Sequence, residues 1–217
     1  MLGESTHPVG NSVRNWIVVA CVWQGRWPQA ARIGAESARI AEHTRGLLLL
    51  AVVRSITGYA AWAEHGDVGG LAQMREAVGW IESRAGEFFT SLQYGWLVEA
   101  SIASGNADEA RRHAARLFHR AAQGERLGEA VGCRGLAVAA AQAGDTSTAR
   151  RWMARAQRSA RQRASAREAA LNLAAEARIA ALQGNATGAL AAHEAAVSAL
   201  RKLGMHWHAA KLIAVMP

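Results

Sequence analysis

Cysteine, proline, lysine and long apolar runs are all scarce in this chain of 217 residues. Cys21 and Cys133 are its two cysteines. Two thiols set far apart on apolar stretches make neither a disulfide framework nor a zinc site, and they read as buried free thiols that pack as small hydrophobes. The prolines are Pro8, Pro28 and Pro217, so almost nothing in the chain interrupts a helix. The greasiest run, Leu47 to Val53, falls short of the roughly 18–20 residues that a membrane span needs. Met1 to Asn11 carries no basic stretch, and the apolar run from Trp16 to Trp23 is too short for a secretory signal. The expectation is a soluble, cytoplasmic chain with no membrane partner.

Signatures of chemistry are missing too. No phosphate loop of the form Gly-x4-Gly-Lys-Ser/Thr is present, and the glycines from Gly66 to Gly70 lack the lysine. His206 and His208 stand two apart, on different sides of a helix, and His113 and His119 are no better aligned for a metal. Asp108 and Glu109 read as helix-capping acids, and Glu64 with His65 as a helix end. General acid–base work needs positioned, desolvated partners, and nothing nominates them. The chain reads as no enzyme, with no catalytic residue, no metal and no cofactor.

What the chain does have is glycine at a fixed interval. Gly25-Arg26-Trp27-Pro28-Gln29-Ala30, Gly66-Asp67-Val68-Gly69-Gly70-Leu71, Gly105-Asn106-Ala107-Asp108-Glu109-Ala110, Gly144-Asp145-Thr146-Ser147-Thr148-Ala149 and Gly184-Asn185-Ala186-Thr187-Gly188-Ala189 are variants of one phrase. Their lead glycines stand 41, 39, 39 and 40 residues apart, a spacing that marks repeat architectures. Glycine closes a helix in the left-handed conformation. The Asp or Asn behind it caps the next helix, and the small residue five positions on lets two helices lie close. Asn106 with Glu109 has the spacing of a capping box. In the first copy Arg26 replaces the cap and Pro28 sits near the helix start.

A second lattice, Gly46, Gly86, Gly124 and Gly204, interleaves with the first, with Ala164-Ser165 where one more glycine would fall. Together they cut the chain into segments of about four to five helical turns. The predicted fold is all-α: a right-handed α-α superhelix of five helical hairpins with a period near 40 residues, plus a terminal helix. Residues 1–11 read as a flexible arm, with Asn11 or Ser12 capping the first helix. Residues 12–217 read as one repeat domain, divided at 12–45, 46–85, 86–123, 124–163, 164–203 and a terminal helix over 205–216. The fifth helix is expected to begin at Phe88-Phe89. The first helix, apolar nearly all round, suggests burial, a missing neighbour or a homo-oligomer contact.

Tandem helix pairs with a turn glycine and a small residue five positions on resemble tetratricopeptide-like repeats, in a variant longer than the usual period of about 34. Gly70-Leu71-Ala72-Gln73-Met74-Arg75, Gly124-Glu125-Arg126-Leu127-Gly128-Glu129 and Leu203-Gly204-Met205-His206-Trp207 look like the C-terminal repeat tail of large bacterial signalling proteins. There, a class III adenylate/guanylate cyclase or DNA-binding domain precedes an ATPase module and the repeats. The resemblance implies a sensor or protein-docking segment, and it carries over no catalytic residue.

Counting back from each turn glycine along the first helix of each pair, Asn15, Trp23, Glu99, Arg134, Gln142 and Arg178 are expected to line a concave face. Such a mixture suits a protein or peptide partner. The Lys/Asn/Arg clamp of some tetratricopeptide proteins is matched only at Asn15 and Arg134. The net charge of +8 attracts acidic partners. Its densest stretch is Arg150, Arg151, Arg155, Arg158, Arg161, Arg163 and Arg167, with Arg151, Arg155 and Arg158 on one helix face. That face reads first as solvated surface and second as a polyanion or nucleic-acid dock, which exposed interleaved aromatics would strengthen. A small-molecule or peptide sensor would share the same fold.

Overall fold

In the computed structural model, residues 8–84 and 90–215 are described. They contain eleven helices and no strand: α1 (Pro8–Gln24), α2 (Trp27–His43), α3 (Leu47–His65), α4 (Val68–Arg84), α5 (Thr90–Ala103), α6 (Ala107–Ala122), α7 (Glu129–Gln142), α8 (Thr146–Gln162), α9 (Ala166–Leu182), α10 (Ala186–Lys202) and α11 (His206–Val215). The all-α expectation holds. The chain divides into two compact units, Met1–Thr90 and Ser91–Pro217. The expected start of the fifth helix at Phe88-Phe89, and Gly86, lie outside the described residues.

The turns follow the sequence closely. Gly25, Gly66, Gly105, Gly144 and Gly184 all have φ between 70° and 78°, the left-handed region that a Cβ resists. At most of these turns two backbone bonds close the helix. Arg26 N–H donates to the Cys21 carbonyl and Gly25 N–H to Val22, and the same pair recurs at Asp145 to Ala140 with Gly144 to Ala141, and at Asn185 to Ala180 with Gly184 to Ala181. This double closure is the Schellman motif, which satisfies carbonyls the helix leaves open. Asn106, Asp145 and Asn185 then cap the next helix, accepting from the N–H groups of Glu109, Thr148 and Gly188. Asp67 accepts from Gly69 N–H at 2.8 Å. Ala30, Leu71, Ala110, Ala149 and Ala189 are all buried.

Three local expectations are corrected. The described part of α1 runs from Pro8, inside the expected arm. Asn11 is therefore an interior residue and no cap. In the second lattice Gly46 has φ −79°, and Arg45 takes the left-handed position at φ 55°, as Ala164 does at φ 48°. The capping box at Asn106 is half made: Glu109 accepts from the Asn106 side-chain amide at 3.1 Å, since the Asn106 backbone N–H already bonds Ser101.

In the first unit α1 packs on α2 and α3, α2 on α3, and α3 on α4. Ala41, Leu50 and Val53 form a core cluster there, and Gly58 of α3 faces the backbone of Gly70 and Met74 on α4. In the second unit α7 packs on α8 and α9, α9 on α8 and α10, and α10 on α11. Ala137, Val138, Ala141, Ala149, Met153 and Ile179 form one cluster, and Ala170, Leu200, Met205 and Ala209 another. Alanine makes up half of each cluster and alternates with larger side chains such as Met153, Ile179, Leu200 and Met205.

Candidate functional site

The candidate groove residues separate by depth. Asn15 and Arg134 are buried, Trp23 and Glu99 are half-buried, and Gln142 and Arg178 are exposed. Asn15 and Arg134 do not line an open face. Each stands ten residues before its turn glycine, a position that faces the next first helix of its own unit. Asn15 Nδ2 reaches across from α1 to the Leu49 carbonyl on α3 at 3.1 Å, and Arg134 reaches from α7 to Glu168 on α9. Both links span 34 residues of sequence. They are struts between successive first helices.

The strut in the first unit is neutral. Ser37 Oγ on α2 lies 2.6 Å from both Asn11 Oδ1 and Asn15 Oδ1. A hydroxyl has one proton to donate. The Leu49 carbonyl fixes the Asn15 amide, so Ser37 donates to Asn15. Among the described residues Asn11 Nδ2 is without a partner, and exchanging the oxygen and nitrogen of the Asn11 amide lets it donate to Ser37. Arg14, also interior, pairs with Glu36 at 3.5 Å. The first turns of α1 thus bury Asn11, Arg14 and Asn15 while Val13 and Trp16 are 50% and 41% exposed, whereas its second half buries Val18, Val19, Cys21 and Val22 as a core-facing helix does.

The strut in the second unit is ionic, and the sequence reading missed its centre. Glu168 is fully buried near the start of α9. Arg134 from α7 and Arg167 from α9 are bonded to its two oxygens, and Arg163, the residue that ends α8, stands 4.0 Å away. Asn172 Oδ1 accepts from Arg134 at 3.2 Å. Burial pushes the Glu168 carboxyl pKa up, but the Arg134 and Arg167 charges, the Arg134 hydrogen bond and the Arg163 charge outweigh it and hold the group below its ordinary range. A signal was present: Ser165-Ala166-Arg167-Glu168 has the Ser-x-x-Glu spacing of a capping box. Ser165 does cap Glu168 N–H, at 3.3 Å, while the carboxylate turns inward to arginine.

The arginine-rich stretch is less free than its sequence suggests. Arg155 pairs with the buried Glu129 at 2.8 Å and lies 4.0 Å over the Phe118 ring, which itself stacks on Trp152 at 5.1 Å. Arg163 and Arg167 belong to the Glu168 cluster. Arg150, Arg151, Arg158 and Arg161 remain exposed, with Arg151 donating to Thr148 at 2.8 Å. The stack leaves its aromatic partners half-buried, so base stacking gains little from it.

Both cysteines are buried and unpaired. Burial raises the Cys21 thiol and pushes Cys133 up to about 12, so neither supplies a thiolate at neutral pH. Among the described residues no three His, Cys, Asp or Glu groups gather where they could hold a metal. An open groove of about 480 Å³ runs along α10, lined by His193, Glu194, Val197, Ser198, Arg201 and Lys202 with Ile213 of α11. Helix α3 extends the apolar run of Leu47–Val53 to 19 residues and is, by length and composition, able to cross a membrane. It packs among α1, α2 and α4, and a core helix passes the same test. No family profile matches the chain, and no curated protein or solved structure is significantly similar to it.

Proposed function

We propose that the chain is a non-catalytic docking module, a tetratricopeptide-like right-handed α-solenoid that holds a protein segment or an adjoining regulatory domain in the cytoplasm of a bacterial signalling system. The observation that supports this is the repeated strut. At one register in each unit, a polar side chain of one pair's first helix reaches the first helix of the next pair, 34 residues on. Hairpins linked in this way leave side chains nearer the helix ends for a partner. Trp23, Glu99, Gln142 and Arg178 are the residues assigned to it.

Two measurements test the reading. Small-angle scattering should give a radius of gyration well above the about 17 Å of a compact chain of this length, and a value near 17 Å overturns the solenoid. Affinity capture with the full chain, compared with a Trp23→Ala/Gln142→Ala/Arg178→Ala variant of unchanged helicity, tests the face. If the variant retains every protein held by the parent chain, the face is misassigned.

The exposed apolar side chains of Val13 and Trp16 in the first turns of α1 favour a second reading, self-association through these two residues. Sedimentation should show an oligomer that Val13→Ser/Trp16→Ser dissolves, and a monomer at high concentration rejects it.

A further inference from the structure

We propose that the guanidinium cluster between α7 and α9 is a binding site for an oxyanion, a carboxylate or phosphate group, with Arg163 as its principal contact and Arg167 beside it. This goes beyond the docking reading and does not depend on it. The cluster is rich in donors. Glu168 is already bonded by Arg134 and Arg167, one on each oxygen, and Arg163 is left 4.0 Å out.

Arg163 is anchored through Nη1, which donates to the carbonyls of Arg126 at 3.1 Å and Leu127 at 2.8 Å. Those bonds hold the guanidinium plane in place, yet its Nε–H is buried with no acceptor among the described residues. A second orphan donor belongs to Asn172, which gives its oxygen to Arg134 while its Nδ2 finds no acceptor among the described residues. Buried donors without acceptors are costly, the more so when charged.

Three guanidinium groups surround the single Glu168 carboxylate, and an arriving oxyanion supplies the negative charge that Arg163 and Arg167 lack. Guanidinium is the side chain best shaped to accept one, through parallel N–H groups. The approach is open, because the Arg163 and Arg167 side chains keep 21% and 18% of their surface. Arg163 also sits beside Ala164, whose left-handed backbone at φ 48° is strained for a residue with a Cβ.

The test uses the full chain at neutral pH and constant ionic strength, with sodium phosphate or sodium acetate exchanged for chloride. Thermal unfolding should rise saturably with at least one of the two, and the anion that acts names the source, phosphate or carboxylate. Arg163→Gln should weaken the apparent affinity at least tenfold, whereas Arg112→Gln, an exposed residue of α6, should leave it unchanged. If Arg163→Gln unfolds, the parent chain still decides: the Arg163 Nε–H resonance should shift with the same midpoint as the melting curve. No rise beyond chloride, an unchanged Arg163 resonance, or an undiminished rise in Arg163→Gln overturns the proposal.

Discussion

The two units join first helix to first helix at the same register with opposite chemistry. In the first, Asn15 meets the Leu49 carbonyl and the Ser37 hydroxyl, all uncharged. In the second, Arg134 meets Glu168, with further arginines around it. A neutral strut is worth little when made and moderately costly when broken. A buried ionic strut is close to neutral against a hydrophobic replacement, yet severe when one partner is removed. One architecture thus tolerates two glues, and they differ in how they respond to pH and mutation.

The largest effect should come from Glu168→Gln, which leaves Arg134 and Arg167 facing a neutral amide. A loss of about 3–5 kcal/mol is expected, against about 1–3 kcal/mol for Asn15→Ala. Native-state hydrogen exchange, read separately for α1–α3 and α7–α9, distinguishes the two. Equal losses would erase the contrast. Acid sharpens it further. The folded Glu168 pKa lies below its reference value of 4.5, so its contribution is fully present above the unfolded value and disappears as pH falls through the folded one. Protection of α7–α9 should fall on acidification, while the Asn15 strut, having no titrating group, stays intact.

A second pair of positions asks whether the units share a construction limit. A Cβ on Gly58 would come within 2.5 Å of the Gly70 carbonyl oxygen, and one on Gly128 within 1.8 Å of the Ser91 carbonyl oxygen. Both obstacles are backbone, which cannot swing aside. Alanine at either site should cost about 1–3 kcal/mol or more by overpacking, and Gly128→Ala should be the worse. Urea midpoints of the two variants check the order, and a harmless Gly128→Ala would mean that the second unit's helices can part where the first unit's cannot.

What the sequence made legible was the local part of the fold. A turn glycine, a cap and a small residue act within six positions of one another, so one phrase is enough to read them. The struts act across 34 residues and two helices, and no local pattern says which way Asn15 or Arg134 points. Counting back from a glycine finds the right helix, but for Asn15 and Arg134 it misses that the side chain turns inward. Glu168 was readable as a capping residue from Ser165. Its inward turn was not readable, because the reason lies in Arg134 on a different helix. Asn11 was misread as a cap, since the helix already runs through it from Pro8. Nothing in the sequence marks Arg45 as the left-handed residue beside Gly46.

The left-handed position yields a smaller test, one in each unit. Arg45 at φ 55° and Ala164 at φ 48° occupy a region that disfavours residues with a Cβ, at a cost of roughly 1–2 kcal/mol. Glycine relieves the strain and loses more entropy on folding, roughly 0.5–1 kcal/mol, so Arg45→Gly and Ala164→Gly should each stabilise by about 0.5–1 kcal/mol. Chemical denaturation midpoints measure it. If Arg45→Gly stabilises and Ala164→Gly does not, the Ala164 turn is held by contacts that the first unit does not match.

The smallest effect concerns the caps. Asp145 accepts from the Thr148 N–H at 2.9 Å and from the Ser147 hydroxyl at 3.0 Å, and the bonds from Thr148, more than any charge, lower its pKa to about 2 from a reference of 3.8. The sign follows from the folded value being the lower one. The cap's contribution is complete above about pH 4 and lost as pH falls towards 2. Because the carboxylate is fully exposed, water and salt screen it, and global stability should barely register the change. The local signal should be plain: the Asp145 carboxyl carbon titrates near pH 2, and the Thr148 amide resonance moves with the same midpoint. In Asp145→Asn the amide oxygen still caps, so the Thr148 resonance should lose its pH dependence while α8 keeps its first turn. A Thr148 midpoint near 4 would mean that this cap holds its helix no more firmly than a carboxylate in an unfolded chain.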